Sequence, residues 1–269
     1  VKGRTRASAA ALIGILVLVG CCGAWKSNSA KYKKQMECAT RVTDETSIKI
    51  LKSGNFCCPA LPKDIESVAE ARRFYLLRAW GYDPSSPEPP MRIAQSYWEQ
   101  QDYHKALLYF DAARARTKGA PIEAVIGEIT MYRLLHQFKP GYAWIRWLER
   151  QKDIDAVKVC DYLGARYLYD QGKEQEAEPL FEAALKRAEK GDYTLAVQPY
   201  SMKDVWFYLA QIKLNAGDPQ GAYKDFLAYL KLMSDPNFQT FYNYWLPRLG
   251  SQQKEFYAKI EHDWVWMRQ

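Results

Sequence analysis

From residue 62 onward, apolar residues recur at intervals of three and four, the period of helices that bury one face. Glycine and proline interrupt the pattern at 81–90, 118–121, 139–141, 172, 191–199, 217–219 and 235–236, which predicts helices arranged in pairs. Residues 65–80 read as an amphipathic opening helix. Residues 238–266 read as one or two aromatic-rich helices that cap the array, with Trp264 and Trp266 as cap or docking residues. Residues 27–62 lack such a period, because Ser, Lys, Thr, Gly and Pro break it. They predict a polar tether holding one short strand at 47–51. The expected fold class is therefore all-α, an array of helices over 63–269 behind a tether at 21–62.

One constellation occurs three times: a small residue, a second small residue 12 positions later, and Phe four positions after that. The triplets are Ala94, Ala106, Phe110; Ala165, Ala177, Phe181; and Ala210, Ala222, Phe226. Two helices of a tight antiparallel hairpin approach closely only where their Cβ atoms are small, and an aromatic one turn later fills the wedge to the next hairpin. Ala106 and Ala177 are separated by about two repeats of 34 residues, which leaves room for a degenerate copy over 123–150, with Gly127 on one helix and Pro140-Gly141-Tyr142-Ala143 opening the next. The spacing to Ala222 is longer and predicts an inserted loop at 191–199, beginning Gly191-Asp192-Tyr193-Thr194.

With these residues the chain resembles the tetratricopeptide repeat family. Ile93-Ala94-Gln95-Ser96-Tyr97-Trp98 followed by Asp102-Tyr103-His104-Lys105-Ala106 matches its pattern, as do Gln171-Gly172-Lys173 to Ala177 and a third copy over 206–222. The first two copies carry a later small residue, Ala113 and Ala184, where the third has Tyr229. The resemblance implies an α-solenoid whose first helices line a concave groove for a protein partner. Carried over by position, the groove residues would be Gln95, Trp98, Tyr162, Arg166, Tyr169, Phe207 and Gln211. Aromatic rings offer contact area with few rotors, Arg166 could hold a carboxylate, and glutamines could bond an extended backbone. The family's paired Lys and Asn clamp for a C-terminal carboxylate is not recognisable.

The first residues bear on the compartment. Lys2, Arg4 and Arg6 lead into an uncharged run at 7–20, the arrangement of an export signal. The run closes as Leu18-Val19-Gly20-Cys21, which resembles the lipobox of bacterial lipoproteins. That resemblance implies cleavage after 1–20, a diacylglyceryl and palmitate-bearing Cys21, and an extracytoplasmic body. With Cys22 rather than Asp next, it further implies the periplasmic face of the outer membrane in a Gram-negative cell. The alternative is an uncleaved helix over 7–25, long enough to cross a hydrocarbon core of roughly 30 Å. Lys26, Lys31, Lys33 and Lys34 follow as a juxtamembrane flank, so positive charge on both sides does not orient such a span.

Composition narrows the chemistry. At 269 residues and 48% apolar, with 19 Tyr, 9 Trp and 10 Phe, the chain can bury a core of real size. A formal charge of +7, reduced if the basic leader is removed, is too mild to argue for nucleic acid. Cys38 could pair with Cys57 or Cys58 in an oxidising compartment, closing a loop worth roughly 3 kcal/mol. Without a CxxC pair or a nearby histidine these cysteines make a poor metal site, and Cys160 lies far off on a predicted helix. His104, His136 and His262 form no metal spacing. Glu174 and Glu176 read as a solvated face. Glu261-His262-Asp263 point in different directions on a helix, and neither a phosphate-cradling loop nor a nucleophile elbow is present. The sequence thus predicts a cofactor-free, non-enzymatic scaffold that is membrane-tethered and serves envelope assembly. A single-pass structural subunit of a membrane complex is the alternative. A cell-wall-processing enzyme using the insertion near Tyr193 is a remoter one.

Overall fold

Hydroxyl and carboxylate caps start the first helices. Ser27 accepts from the Ala30 amide, while Asp44 with Ser47 and Ser67 with Glu70 form reciprocal capping boxes that satisfy amides the helix leaves unbonded. The computed structural model describes residues 27–54, 58–116, 121–151, 154–189, 202–231 and 258. Among the described residues the regular structure is helical throughout: α1 (Asn28–Arg41), α2 (Glu45–Lys52), α3 (Val68–Tyr82), α4 (Glu88–Glu99), α5 (Tyr103–Arg116), α6 (Ile122–Leu134), α7 (Phe138–Glu149), α8 (Ile154–Asp170), α9 (Glu174–Glu189), α10 (Met202–Asn215) and α11 (Pro219–Lys231). No described helix is long and apolar enough to cross a membrane, and residues 7–25, with Cys21, lie outside the described set. The chain divides after His136 into two units.

In the first unit α1 packs on α3, α3 on α4, α4 on α5 and α5 on α6. Its core gathers Met36, Cys38, Ala39 and Val42 of the α1 region, Ile48 and Leu51 of α2, and Ala71, Tyr75, Leu76 and Ala79 of α3 around Ile93. Tyr75 is fully buried, and its hydroxyl donates to the Pro59 carbonyl at 2.6 Å, so the one polar atom of a large ring is satisfied. Cys38 is bonded to Cys58 rather than left as a free thiol, fastening α1 to the strap that follows α2. Cys57 lies outside the described residues.

This corrects the tether expected before residue 62. Residues 28–52 hold two packed helices, and the strand expected at 47–51 falls inside α2. Reading by periodicity failed here because α1 buries a mixed set, Gln35, Met36, Cys38 and Ala39, and has little apolar stripe to detect.

In the second unit α7 packs on α8, α8 on α9, α9 on α10 and α10 on α11. The break expected at 139–141 is instead the first turn of α7, where proline costs no helical hydrogen bond; the chain turns at 135–137. The degenerate repeat over 123–150 is likewise not one hairpin of a single unit: α6 belongs to the first and α7 to the second. Gly127 and Gly141 each serve a local approach. A Cβ at Gly127 would stand 2.5 Å from the Phe110 ring, and one at Gly141 would collide with the Tyr167 side chain. The inserted loop at 191–199 and the closing helices at 238–266 fall outside the described residues.

All nine residues of the three Ala–Ala–Phe triplets are buried where the hairpins close: α4 on α5, α8 on α9, and α10 on α11. Equivalent turns join the helices. Gln101, Gly172 and Gly217, each five residues before the second small residue of its copy, have φ of 61°, 74° and 82°. In each, the amide of the next residue bonds back to the helix, Asp102 to Tyr97, Lys173 to Leu168 and Asp218 to Lys213. This is the left-handed helix stop, which favours glycine.

Candidate functional site

The first unit presents a cavity of about 490 Å³ between α1, α3 and α4, within the size range of ligand pockets. Ala39 and Thr40 of α1 form one wall, Val68, Ala69, Arg72 and Leu76 of α3 the floor, and Arg92, Gln95, Ser96 and Glu99 of α4 the other wall. Gln95 is exposed and lines this space. Trp98, expected beside it, is half-buried and packs against the cluster of Ala94, Ala106, Phe110 and Met131.

The α3–α4 seam beneath is held by a second arginine. Arg73 is largely buried; its Nη1 donates to Ser96 Oγ at 2.9 Å and Gln100 Oε1 at 2.7 Å, and its guanidinium lies 4.3 Å from the Tyr97 ring centre. Tyr97 in turn stacks on Tyr109 at 5.6 Å. Lys105 Nζ also lies 5.2 Å from the Tyr97 ring centre, and burial pushes the Tyr109 phenol above its ordinary range. Sequence reading missed Arg72 and Arg92 because it sought groove residues on first helices alone, at aligned positions. Arg72 sits on α3, one helix outside the recognised copies.

The second unit brings five predicted residues near one another on α8 and α10, with different fates. Tyr162 is buried edge-on to Phe181 at 6.1 Å, and Gln211 is buried as well. Neither is open to a partner, which corrects their assignment to the groove: the helical period sets a face, but Tyr162 is covered by Phe181 of α9 and Gln211 is buried on α10. Arg166 lies 4.0 Å from the centre of the Tyr208 ring, with Asp170 Oδ1 3.7 Å from one Nη. Burial pulls its proton affinity down, yet the surrounding Tyr162, Tyr208 and Asp170 outweigh that and hold it above the ordinary value. Its side chain is 14% exposed, so the cation mainly braces α8 against α10. Tyr169 and Phe207 are half-buried, each against Tyr208, at 4.8 and 5.3 Å. Burial, then the charge of Glu174, pushes the Tyr169 phenol up to about 12.

Among the described residues no three His, Cys, Asp or Glu side chains stand together as a metal site. Cys160 is buried, with its thiol pushed up to about 12 by burial and the Glu149 charge, the opposite of an activated nucleophile. His262 and its acidic neighbours lie outside the described residues.

No protein-family model matches the chain, and no curated protein sequence matches it. Solved structures do. A tetratricopeptide repeat protein of Parabacteroides merdae is 13% identical with a TM-score of 0.50, over 78% of this chain and 73% of that one. YrrB, a tetratricopeptide protein with an unusual peptide-binding site, is 14% identical with a TM-score of 0.42, over 71% of this chain and 86% of its own. The first of these likenesses, together with the all-helical architecture, establishes an all-α fold of tetratricopeptide-like hairpins.

Proposed function

We propose that this protein is a tetratricopeptide-like scaffold, tethered to a membrane at its N-terminus, that holds a protein partner outside the cytoplasm and supports assembly of an envelope complex. The observation that carries the partner-binding part is the cavity between α1, α3 and α4, bordered by exposed hydrogen-bonding side chains rather than filled by core residues. The membrane part rests on sequence: the basic start, the apolar run at 7–20 and the lipobox-like Leu18-Val19-Gly20-Cys21. The Cys38–Cys58 bond suits an oxidising compartment, where such bonds persist.

Two measurements test the two parts. A photo-crosslinking amino acid placed at Gln95 in cells should give a discrete higher-mass product, while the same group at exposed Leu108 should not. Equal labelling at both positions would remove the case for a partner on this face. Intact mass spectrometry of membrane-extracted protein should show loss of residues 1–20 and added acyl chains on Cys21. A retained residue 1 without lipid would favour the other reading, a single-pass subunit anchored through the uncharged residues 7–25.

A further inference from the structure

We propose that the cavity between α1, α3 and α4 receives an acidic side chain carried on an extended segment of a protein partner. This rests on the scaffold reading above and assigns the chemistry of what that face holds.

Arg72 is the principal reason. Its Nε donates to the Val42 carbonyl at 2.7 Å, which orients the guanidinium. Its two Nη groups bond to nothing among the described residues, although the side chain borders the cavity. An arginine fixed through Nε with its Nη groups unspent is prepared for a carboxylate. Across the cavity, Arg92 gives one Nη to Glu88 at 2.7 Å. That pair spans one helical turn with both side chains about half exposed, so it is weak and readily exchanged for an incoming acid.

The remaining lining discriminates among anions. Gln95 offers an amide to an extended backbone, and Ala39 of the wall with Leu76 of the floor supply apolar surface for the methylenes of the acid. Glu99, at the same cavity, accepts from a peptide amide but repels a second negative charge. Once Arg92 exchanges Glu88 for an incoming acid, two guanidiniums and one carboxylate line the space, which suits a single acid on a peptide better than a phosphate chain or a bare cation. The α1 wall is fixed covalently, since Ala39 and Thr40 directly follow Cys38, which is bonded to Cys58. About 490 Å³ accommodates one side chain with its adjoining backbone and no folded domain.

The test uses the full chain, immobilised and screened against a phage-displayed library of random heptapeptides, with Arg72→Gln and Arg92→Gln screened in parallel. Circular dichroism and thermal midpoints report whether each variant is folded. Arg92 is exposed, so its variant keeps the test alive if loss of the Arg72–Val42 bond loosens α1. Peptides enriched by the wild type should share Asp or Glu at one position. An end-capped synthetic copy should lose about tenfold or more in affinity when that acid becomes its amide, or when either arginine is replaced, the size expected for a charge-assisted bond. Enriched peptides without a shared acid, peptides indifferent to both variants, or displacement by inorganic phosphate at equal concentration would each overturn the carboxylate site and leave the scaffold reading intact. If the wild type enriches no peptide at all, the scaffold reading falls with it.

Discussion

Glu128 is a carboxylate with 1% of its side chain exposed, held by Arg114 Nε at 2.6 Å, while the same guanidinium also bonds Asp111. Burial raises its proton affinity above the ordinary value, and the bond and charge of Arg114 work against that rise. Replacing Arg114 by Ala strands the charge, so the variant should lose about 3 kcal/mol at neutral pH. The sign of the pH response follows from the raised folded-state affinity. The stability tied to Glu128 is fully present below its unfolded value of 4.5 and is lost as pH rises through the higher folded value. The variant's deficit should therefore shrink toward acid, as urea titrations at the two pH values would read, and Glu128→Gln added to it should recover part of the loss at neutral pH. Gln101 gives a second residue-scale test. It adopts the left-handed conformation that Gly172 and Gly217 adopt in the other hairpins. Gln101→Gly should raise stability by about 1 kcal/mol in the same titration. The alanine and phenylalanine triplets were legible because size at fixed spacing is a property of the residues themselves. Tyr162 and Gln211 were not, because whether a helix face meets water depends on which neighbour lies over it.

At the scale of elements, α1 has little apolar stripe, and the α1–α2 region is secured by caps, a cross-link and long-range polar bonds as well as by the buried Ile48 and Leu51 of α2. Arg72 ties α3 to the Val42 carbonyl, Tyr32 meets Ser86 at 2.9 Å, and Lys52 reaches the Lys63 carbonyl at 2.9 Å. The Cys38–Cys58 bond closes a loop of 20 residues, worth about 3 kcal/mol in the chain-entropy view. Cys38→Ala with Cys58→Ala should lower the stability of the first unit by that order, and added dithiol should no longer change its denaturation midpoint. An unchanged midpoint in the double variant would mean that packing alone holds α1. Periodicity could not have found α1, and in α2 the alternating Ile48 and Ile50 imitate a strand although Ile48 and Leu51 share a buried helical face. The Asp44–Ser47 box could have marked α2, had serine been accepted beside the usual Glu or Gln at the third helical position. The hairpins from α4 onward were readable because each carries its own repeat of small residue, turn and aromatic.

Within each unit the described helices pack mainly on helices near them in sequence, so damage should remain local. Tyr75→Ala removes a fully buried ring from the first unit, at about 3–5 kcal/mol. Hydrogen exchange should accelerate across α1–α4 while α9–α11 keep their protection. Uniform acceleration along the chain would instead reveal one cooperative block. The division after His136 was not legible, because the pattern over 123–150 reads as a continuous pair of helices and gives no hint that they serve different cores.

The cross-link also bears on the order of assembly. Both its cysteines leave the ribosome, or a translocation channel, well before Glu88 begins α4. In an oxidising compartment the ring at 38–58 can close while most of the array is still unmade. Growth is then vectorial: α3 packs on the α1 of a covalently closed seed and brings Ala71, Tyr75 and Leu76 to the cluster that Ile93 joins, so the following hairpins of the first unit add to a template that already has its shape.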